Sequence, residues 1–232
     1  NDNSTQYTFS SSEGGTISIG GSCSSDNNTA LADNMTVSFA ALADGTYSNC
    51  TITVTDSAGN SSDTIDVNSF TIDTTAPTLA QVAAVTTPTK DTTPSYTFSS
   101  NEAGNITYGV CSGSPNNASA DNNTITFDAL ADETYSDCKI SVTDNASNTS
   151  DNLSVSSFTI DTTAPTLSQV TAVTTPTNDN TPSYAFSSNE AGTISYGGSS
   201  CSPGETSAIS GTNSISFGTL SDASYSNCTI TV

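Results

Sequence analysis

The strongest constraint on this chain is a ten-residue segment, FTIDTTAPTL, that occurs twice without change, at residues 70–79 and 158–167. The two copies begin 88 residues apart, and a fixed period of this length is the mark of a tandem array. Pro77 lacks a backbone donor and biases Ala76 toward extended geometry, so one strand ends before it and another begins near Leu79. The segment is therefore predicted to be the joint between repeats.

Placing the boundaries at this joint divides the chain into three repeats, 1–73, 74–161 and 162–232. The first repeat is expected to lack its first strand and the third its last strand, with the middle repeat complete. We accordingly expect the chain to be a segment of something longer.

The composition favours strands with one buried face. Hydrophobic residues, counted without glycine, make up 33% of the chain, well below the roughly 45–50% of ordinary globular domains counted with glycine, and no apolar period of 3.6 residues persists. We predict an all-β fold of several small cores, one per repeat.

In the middle repeat, short apolar stretches alternate with turn signals, which predicts about seven strands. The predicted strands run from 79 to 85, 95 to 99, 106 to 110, 125 to 130, 135 to 142 and 153 to 160, with a loop or short edge strand in 112–123. A shift in apolar spacing at Ser156 and Ser157 predicts a bulge in the closing strand. Seven strands in about 88 residues are typical of a β-sandwich.

A leucine and a tyrosine recur five residues apart with an aspartate between them, at Leu42/Tyr47, Leu130/Tyr135 and Leu220/Tyr225. This spacing resembles the tyrosine corner of immunoglobulin-like sandwiches, in which the tyrosine hydroxyl bonds to backbone upstream. It predicts tandem immunoglobulin-like β-sandwiches.

The six cysteines form three pairs with the same separation of 27 residues. In the predicted strand order the first cysteine of a pair ends one strand and the second begins its antiparallel neighbour. One intradomain disulfide per repeat is therefore predicted, between the pairs Cys23/Cys50, Cys111/Cys138 and Cys201/Cys228. Metal binding is the rival interpretation, but the chain has no CxxC motif, no histidine and only two cysteines per repeat. Disulfides imply an oxidising compartment outside the cytoplasm.

Charge and composition exclude several function classes. The formal net charge is −21, with only Lys90 and Lys139 as basic side chains, so nothing is available to neutralise nucleic-acid phosphates. Without histidine, Ser-His-Asp and Cys-His nucleophile systems cannot form. No apolar run is long enough to span a membrane. We predict a protein that is not an enzyme, binds no nucleic acid and does not insert into a membrane through this segment.

Three motifs together resemble the tandem Ig-like repeats of very large bacterial surface proteins and adhesins. They are DTTAP at residues 73–77 and 161–165, VTDSAGN at 54–60, and NEAG at 101–104 and 189–192. The resemblance covers essentially the whole chain. It implies an extracellular, cell-surface protein whose repeats serve as stalk modules, often stiffened by calcium at the junctions.

The resemblance also implies a set of candidate calcium ligands, because calcium takes hard oxygen donors. The candidates are the junction aspartates, the aspartates that follow the sixth strand of a repeat and the glutamates of the next turn: Asp73, Asp161, Asp56, Asp144, Glu102 and Glu190. The alternative is that these side chains cap turns through their own backbone. The second repeat reads TDNASN where the first reads TDSAGN.

Two functions are consistent with these features. The first is a non-catalytic structural segment that acts as the stalk or fibre of a long surface protein. The second is a subunit of a self-assembling extracellular filament, joined to copies of itself or to neighbouring repeats by strand exchange or lateral β-contacts. A glycan- or ice-binding face rich in threonine is a third possibility.

Overall fold

The structure is a computed structural model that describes residues 3–198, 201 and 203–232. Every regular element among the described residues is a β-strand, as the composition predicts. In the described part of the chain no helix has the length and apolarity needed to cross a bilayer.

The strands follow the three repeats in order. The strands before residue 74 are β1 (Gln6–Ser11), β2 (Gly15–Gly20), β3 (Thr29–Ala30), β4 (Asp33–Ser38), β5 (Gly45–Tyr47), β6 (Thr51–Thr55), β7 (Ile65–Asp66) and β8 (Phe70–Ile72). Those of the middle repeat are β9 (Leu79–Ala83), β10 (Ser95–Ser100), β11 (Gly104–Tyr108), β12 (Gly113–Ser114), β13 (Asn117–Ala118), β14 (Asp121–Phe127), β15 (Glu133–Tyr135), β16 (Lys139–Thr143), β17 (Leu153–Ser154) and β18 (Phe158–Ile160). The remaining strands are β19 (Leu167–Thr171), β20 (Ser183–Ser188), β21 (Gly192–Thr193), β22 (Ser195–Gly197), β23 (Ser207–Ala208), β24 (Gly211–Ser216) and β25 (Thr229–Thr231).

The middle repeat shows the sheet arrangement most fully. One four-stranded sheet has the order β12-β14-β10-β9 and a second has the order β13-β11-β16-β17, with every pairing antiparallel. Apolar side chains of both sheets meet in one buried cluster, for example Tyr96 and Phe98 from the first sheet and Ile140 and Val142 from the second. The arrangement is compatible with a β-sandwich.

Two predicted strands are each divided in the structure. The stretch from Tyr135 to Val142, predicted as one strand, is β15 followed by β16, and the closing stretch is β17 followed by β18. Strands β16 and β17 pair in the four-stranded sheet, whereas β15 and β18 form a separate two-stranded sheet, in which β18 also makes a parallel bridge to Thr89 through Ile160. The break in the closing stretch falls at residues 155–157, where the apolar spacing shifts. The two interruptions face each other, since the Val155 amide donates to the carbonyl of Cys138 at 2.9 Å.

The cysteine pairing is confirmed. Disulfides join Cys23 to Cys50, Cys111 to Cys138 and Cys201 to Cys228, with Cα–Cα distances of 5.4, 5.2 and 5.5 Å. In the middle repeat the bond lies just beyond the paired ends of β11 and β16, as the predicted strand order requires. Three disulfides indicate an oxidising, extracellular type of environment.

The tyrosine hydrogen bond predicted from the Leu/Tyr spacing is present three times. The hydroxyls of Tyr47, Tyr135 and Tyr225 donate to backbone carbonyls four residues upstream at 2.9, 3.2 and 2.9 Å. A bond of this kind fixes the ring against the body of its own repeat.

Each of the first two tyrosines holds one side of an aromatic stack. Phe70 of β8 lies between Phe39 and Tyr47, with ring centroids 5.9 and 5.4 Å away. Phe158 of β18 lies in the same way between Phe127 and Tyr135, at 5.8 and 5.4 Å. The phenylalanine that opens the repeated segment FTIDTTAPTL is therefore the central ring of each stack.

Buried apolar side chains form three clusters, one within each repeat. The chain divides into two compact units, Asn1–Thr162 and Thr163–Val232, so the first two repeats share a unit. The three-domain division at 1–73, 74–161 and 162–232 remains a prediction.

Replacing Phe158 by alanine is expected to destabilise the chain strongly, since the side chain is 1% exposed and is the middle of its stack. Large-to-small changes of a buried phenylalanine cost about 3–5 kcal/mol. Urea unfolding followed by circular dichroism measures the loss. Val110→Ala, at a side chain 72% exposed, is the control and should change stability by no more than about 0.5 kcal/mol. Equal losses for the two variants would contradict this description of the core.

Candidate functional site

Three of the predicted calcium ligands lie together at the first joint. Asp73 follows β8, Glu102 lies in the turn between β10 and β11, and Asp144 follows β16. One carboxylate oxygen of each lies within 4.8 Å of the other two, and among the described residues this is the group of carboxylates close enough to share an ion. Asp144 is buried, while Asp73 and Glu102 are half-buried.

Hydrogen bonds fix the Asp144 carboxylate. It accepts from the backbone amide of Asn148 at 2.8 Å and from the Asn148 side-chain amide at 2.9 Å. The same side-chain amide donates to the backbone carbonyl of Asp73 at 3.0 Å. One asparagine therefore ties the turn after β16 to the joint.

The different turn sequence of the second repeat does not change this geometry. In both repeats the aspartate amide donates to the carbonyl of the asparagine four residues on, at 2.9 Å for Asp56 and 3.0 Å for Asp144. Gly59 has a φ of 90°, and Ser147 adopts a φ of 70° at the same position. Serine thus takes the left-handed conformation that glycine adopts more readily.

The pKa values at this joint shift in opposite directions. Burial raises the pKa of Glu102, and the nearby charges of Asp73 and Asp144 raise it further. Burial also acts to raise the pKa of Asp144, but hydrogen bonds from the side chain and backbone of Asn148 outweigh it, so that this pKa is lowered. The surroundings therefore disfavour the charged form of Glu102 and favour the charged form of Asp144.

The donor set fits a hard divalent cation in part. Two oxygens on opposite sides of a calcium ion, each about 2.3–2.6 Å from it, are roughly 4.6–5.2 Å apart. The spacing within 4.8 Å therefore allows one ion to contact all three carboxylates. Calcium takes about six to eight oxygens, so the remaining ligands would be carbonyls, further carboxylate oxygens or water.

The other three predicted ligands lie elsewhere. Asp56 accepts from the backbone amides of Ala58 and Asn60 and from the Asn60 side chain, each at 2.8 or 2.9 Å. These bonds, the Asn60 side chain first, lower its pKa. Asp56 thus caps its own turn, which is the alternative raised for the whole set.

Asp161 and Glu190 belong to different compact units. The amide of Asp161 donates to the carbonyl of Thr89 at 2.9 Å, and Glu190 Oε1 accepts from the side chain of Asn189 at 3.1 Å. Neither belongs to the group formed by Asp73, Glu102 and Asp144.

Sequence reasoning missed a contact between Asp44, in the tyrosine-corner turn, and the two threonines of the first joint. Its Oδ1 accepts from the amide and hydroxyl of Thr74 at 3.0 and 2.8 Å, and its Oδ2 accepts from the hydroxyl of Thr75 at 2.6 Å. The Thr75 hydroxyl, followed by Thr74, lowers the pKa of Asp44. The aspartate between leucine and tyrosine therefore binds the threonines of DTTAP.

The same contact recurs one repeat later. Asp132 accepts from the amide and hydroxyl of Thr162 at 3.0 and 2.8 Å, across the same sequence separation of 30 residues. The constant separation between the aspartate and the threonine pair is visible in the sequence and could have predicted this contact.

The far end of the first joint is fixed by Asn101 of the NEAG turn. Its side-chain oxygen accepts from the Thr78 backbone amide at 2.6 Å, and its backbone amide donates to the Thr78 carbonyl at 3.2 Å. Asn189 caps Thr166 at 2.6 Å in the second compact unit. Residues 73–78 are thus bonded both to the repeat before them, through Asp44, and to the repeat after them, through Asn148 and Asn101.

Comparison with protein-family models and with curated proteins finds no match for the chain.

Proposed function

We propose that the chain is a non-catalytic structural segment of a long extracellular bacterial surface protein, and that it acts as a stalk or fibre. The repeats are proposed to be immunoglobulin-like sandwiches with one intradomain disulfide each. The sheet orders of the middle repeat support this, since β9, β10, β14 and β12 match strands A, B, E and D, and β11, β16 and β17 match C, F and G, with the short β13 as an additional strand beside β11.

The observation that carries the proposal is the bonded joint. Thr74, Thr75 and Thr78 are exposed, yet side chains of both flanking repeats bind the backbone and hydroxyls of the joint, whereas a flexible linker would make no such fixed bonds. Bonds to a carboxylate are stronger than those between neutral groups. A joint of this kind suits a spacer that must hold its length and direction.

The acidic surface and the disulfides support the same function. A net charge of −21 keeps an extended protein soluble and separate from anionic surfaces. Disulfides close loops of 27 residues in a chain with little apolar material, and each contributes about 3–4 kcal/mol in the chain-entropy model. Such a segment tolerates exposure outside the cell.

Spin-label distances test the stiffness of the joint. Nitroxide amino acids at the exposed, equivalent positions Thr36 and Thr124 report the separation of the first two repeats. We expect a narrow distance distribution for the wild-type chain and a broad one for Asp44→Ala, which removes the bonds to Thr74 and Thr75.

Asp132→Ala is the matched control, because it removes the same contact one repeat later and leaves the first joint intact. Its distribution should stay narrow. A broad distribution in the wild-type chain would contradict the stalk proposal.

Calcium at Asp73, Glu102 and Asp144 is the proposed stiffening ion. The ion would supply positive charge to three carboxylates in a chain that has only two basic side chains. The three carboxylates would surround the ion. The Asn148 side-chain amide connects two of these residues, because it donates both to the Asp144 carboxylate and to the backbone carbonyl of Asp73.

Excess calcium chloride is expected to raise the melting temperature relative to EDTA. A ligand at about 100 times its Kd stabilises a fold by about 2.7 kcal/mol, equivalent to several degrees. Glu102→Gln should reduce the calcium effect without destabilising the chain in EDTA, because it removes the carboxylate whose pKa is raised. The calcium effect should also fall as the pH is lowered toward the raised pKa of Glu102, since protons then compete with the ion.

Glu13→Gln is the matched control for the calcium measurement. Glu13 occupies the position of Glu102 in the first repeat, and it lies outside the described carboxylate group. This variant should retain the full calcium effect. A melting temperature that EDTA leaves unchanged in the wild-type chain would remove the calcium proposal.

A self-assembling filament is the second candidate, and one observation favours it. Among the described strands, β9 and β19 each lie at the outer edge of their sheet, and Val82 in β9 and Val170 in β19 are each 51% exposed. A free strand edge is a template for pairing with a neighbouring chain. The partners would be copies of the chain or neighbouring repeats.

A further inference from the structure

One backbone contact in the middle repeat is parallel, unlike all the others. Among the described strands every pairing is antiparallel, but Thr89 makes a parallel bridge to Ile160 of β18. The amide of Thr89 donates to the carbonyl of Thr159 at 3.0 Å, and the amide of Asp161 donates to the carbonyl of Thr89 at 2.9 Å. We call these bonds, together with that of Thr87 described next, the parallel contact.

Side chains extend the parallel contact toward the start of the repeat. The Thr87 hydroxyl accepts from the backbone amide of Thr159 at 2.9 Å. In β9, Gln81 Oε1 accepts from the amide and the hydroxyl of Ser156 at 3.3 and 2.9 Å. The closing strand is anchored in the core, since the Ile160 side chain is 1% exposed. The opening segment of the repeat is thus bonded directly to its closing segment.

The direction of the two segments decides how the parallel contact responds to tension. Residues 87–89 follow β9, through which the chain enters the repeat, and residues 159–161 lead directly into the second joint. When the chain is stretched, the first segment is pulled backward along the chain and the second is pulled forward. Two parallel segments pulled in this way slide lengthwise past each other, so all the bonds between them carry the load together. Segments pulled apart from one end instead lose their bonds one at a time.

We infer that the middle repeat bears tension and that the parallel contact is its mechanical clamp, meaning the set of bonds that must break before the repeat unfolds under load. The inference rests on the proposed stalk function, because a stalk that connects a cell to an attached object is pulled along its length. It adds a property that the bonded joint does not provide. The joint resists bending between repeats, whereas the clamp resists stretching within one repeat.

Single-molecule force spectroscopy of the full chain tests the clamp by changing the direction of pull. Click-reactive amino acids at the exposed positions Ala80 and Ala164 carry handles that load the parallel contact in shear. Handles at the exposed positions Lys90 and Ala164 pull the same contact apart from one end, because both positions follow its segments in the chain.

We expect the unfolding force at equal pulling speed to be at least about twofold higher in shear, because the bonds then share the load and forced unfolding depends on the unfolding barrier. The bonds of the protein are the same in both geometries, so the comparison isolates the direction of load. Equal forces, or a lower force in shear, would overturn the inference.

A substitution within the clamp gives a second test. Thr87→Val keeps the shape of the side chain and removes the acceptor of the Thr159 amide, which is one of the three bonds of the parallel contact. We expect the shear unfolding force to fall by up to about a third. Thr97→Val is the matched control, because it loses a hydroxyl bond of the same 2.9 Å length, to Thr124, outside the clamp. An equal fall for both variants would overturn the inference.

The spin-label measurement at the first joint separates this inference from the stalk proposal. A narrow distance distribution combined with equal forces in the two directions of pull overturns the clamp and leaves the stalk proposal standing. A broad distribution combined with a higher force in shear removes the stalk proposal and supports the clamp as a property of the repeat.

Discussion

The stacking of one phenylalanine between two rings organises each of the first two repeats. Phe70 and Phe158 each connect a ring at the end of a core strand with the tyrosine of the corner turn. The tyrosine is held by its own backbone bond, so the phenylalanine docks on a surface that is already fixed. Because only 33% of the residues are hydrophobic, this stacking contact and the disulfide supply much of the stability that a larger core would provide.

Docking of the closing strand also positions the joint. Three residues after Phe70 the chain reaches Asp73, and the next two residues meet Asp44, which lies in the same corner turn as Tyr47. The corner therefore holds both the closing strand and the start of the next repeat. Asn148 and Asn101 complete the attachment from the other side. The contact that closes one repeat thus sets the start of the following one.

Much of the fold could be predicted because repetition in the sequence reports equivalent positions. The cysteine pairs followed from their constant separation and the predicted strand order, and the tyrosine bonds from a Leu/Tyr spacing that resembles the tyrosine corner. The structure contains both. The division of the last strands was not predicted, because apolar alternation indicates which side chains are buried and not which neighbouring strand supplies the hydrogen bonds. The irregular apolar spacing at Ser156 and Ser157 was visible in the sequence. It did not show that the two parts of the closing stretch pair with different strands.

The candidate site was predictable in type and only partly in membership. Carboxylates after a strand serve turn capping and ion binding equally well, and the sequence does not distinguish Asp56, which caps its turn, from Asp144, which also faces Asp73 and Glu102. In the structure the turn of Asp144 lies against the joint, because the Asn148 side chain donates to the backbone carbonyl of Asp73. The role of Asp44 was missed because its partners lie 30 residues away, in a segment that reads as a linker.

The central claim is that residues 73–78 form an ordered, bonded joint and not a flexible linker. Amide hydrogen exchange at Thr74 and Thr78 tests it most directly, because each amide donates to a side chain of a different repeat, Asp44 and Asn101. We expect both amides to be protected to the degree seen in the strands that flank the joint. Exchange of both at the rate of an unstructured peptide would contradict the account.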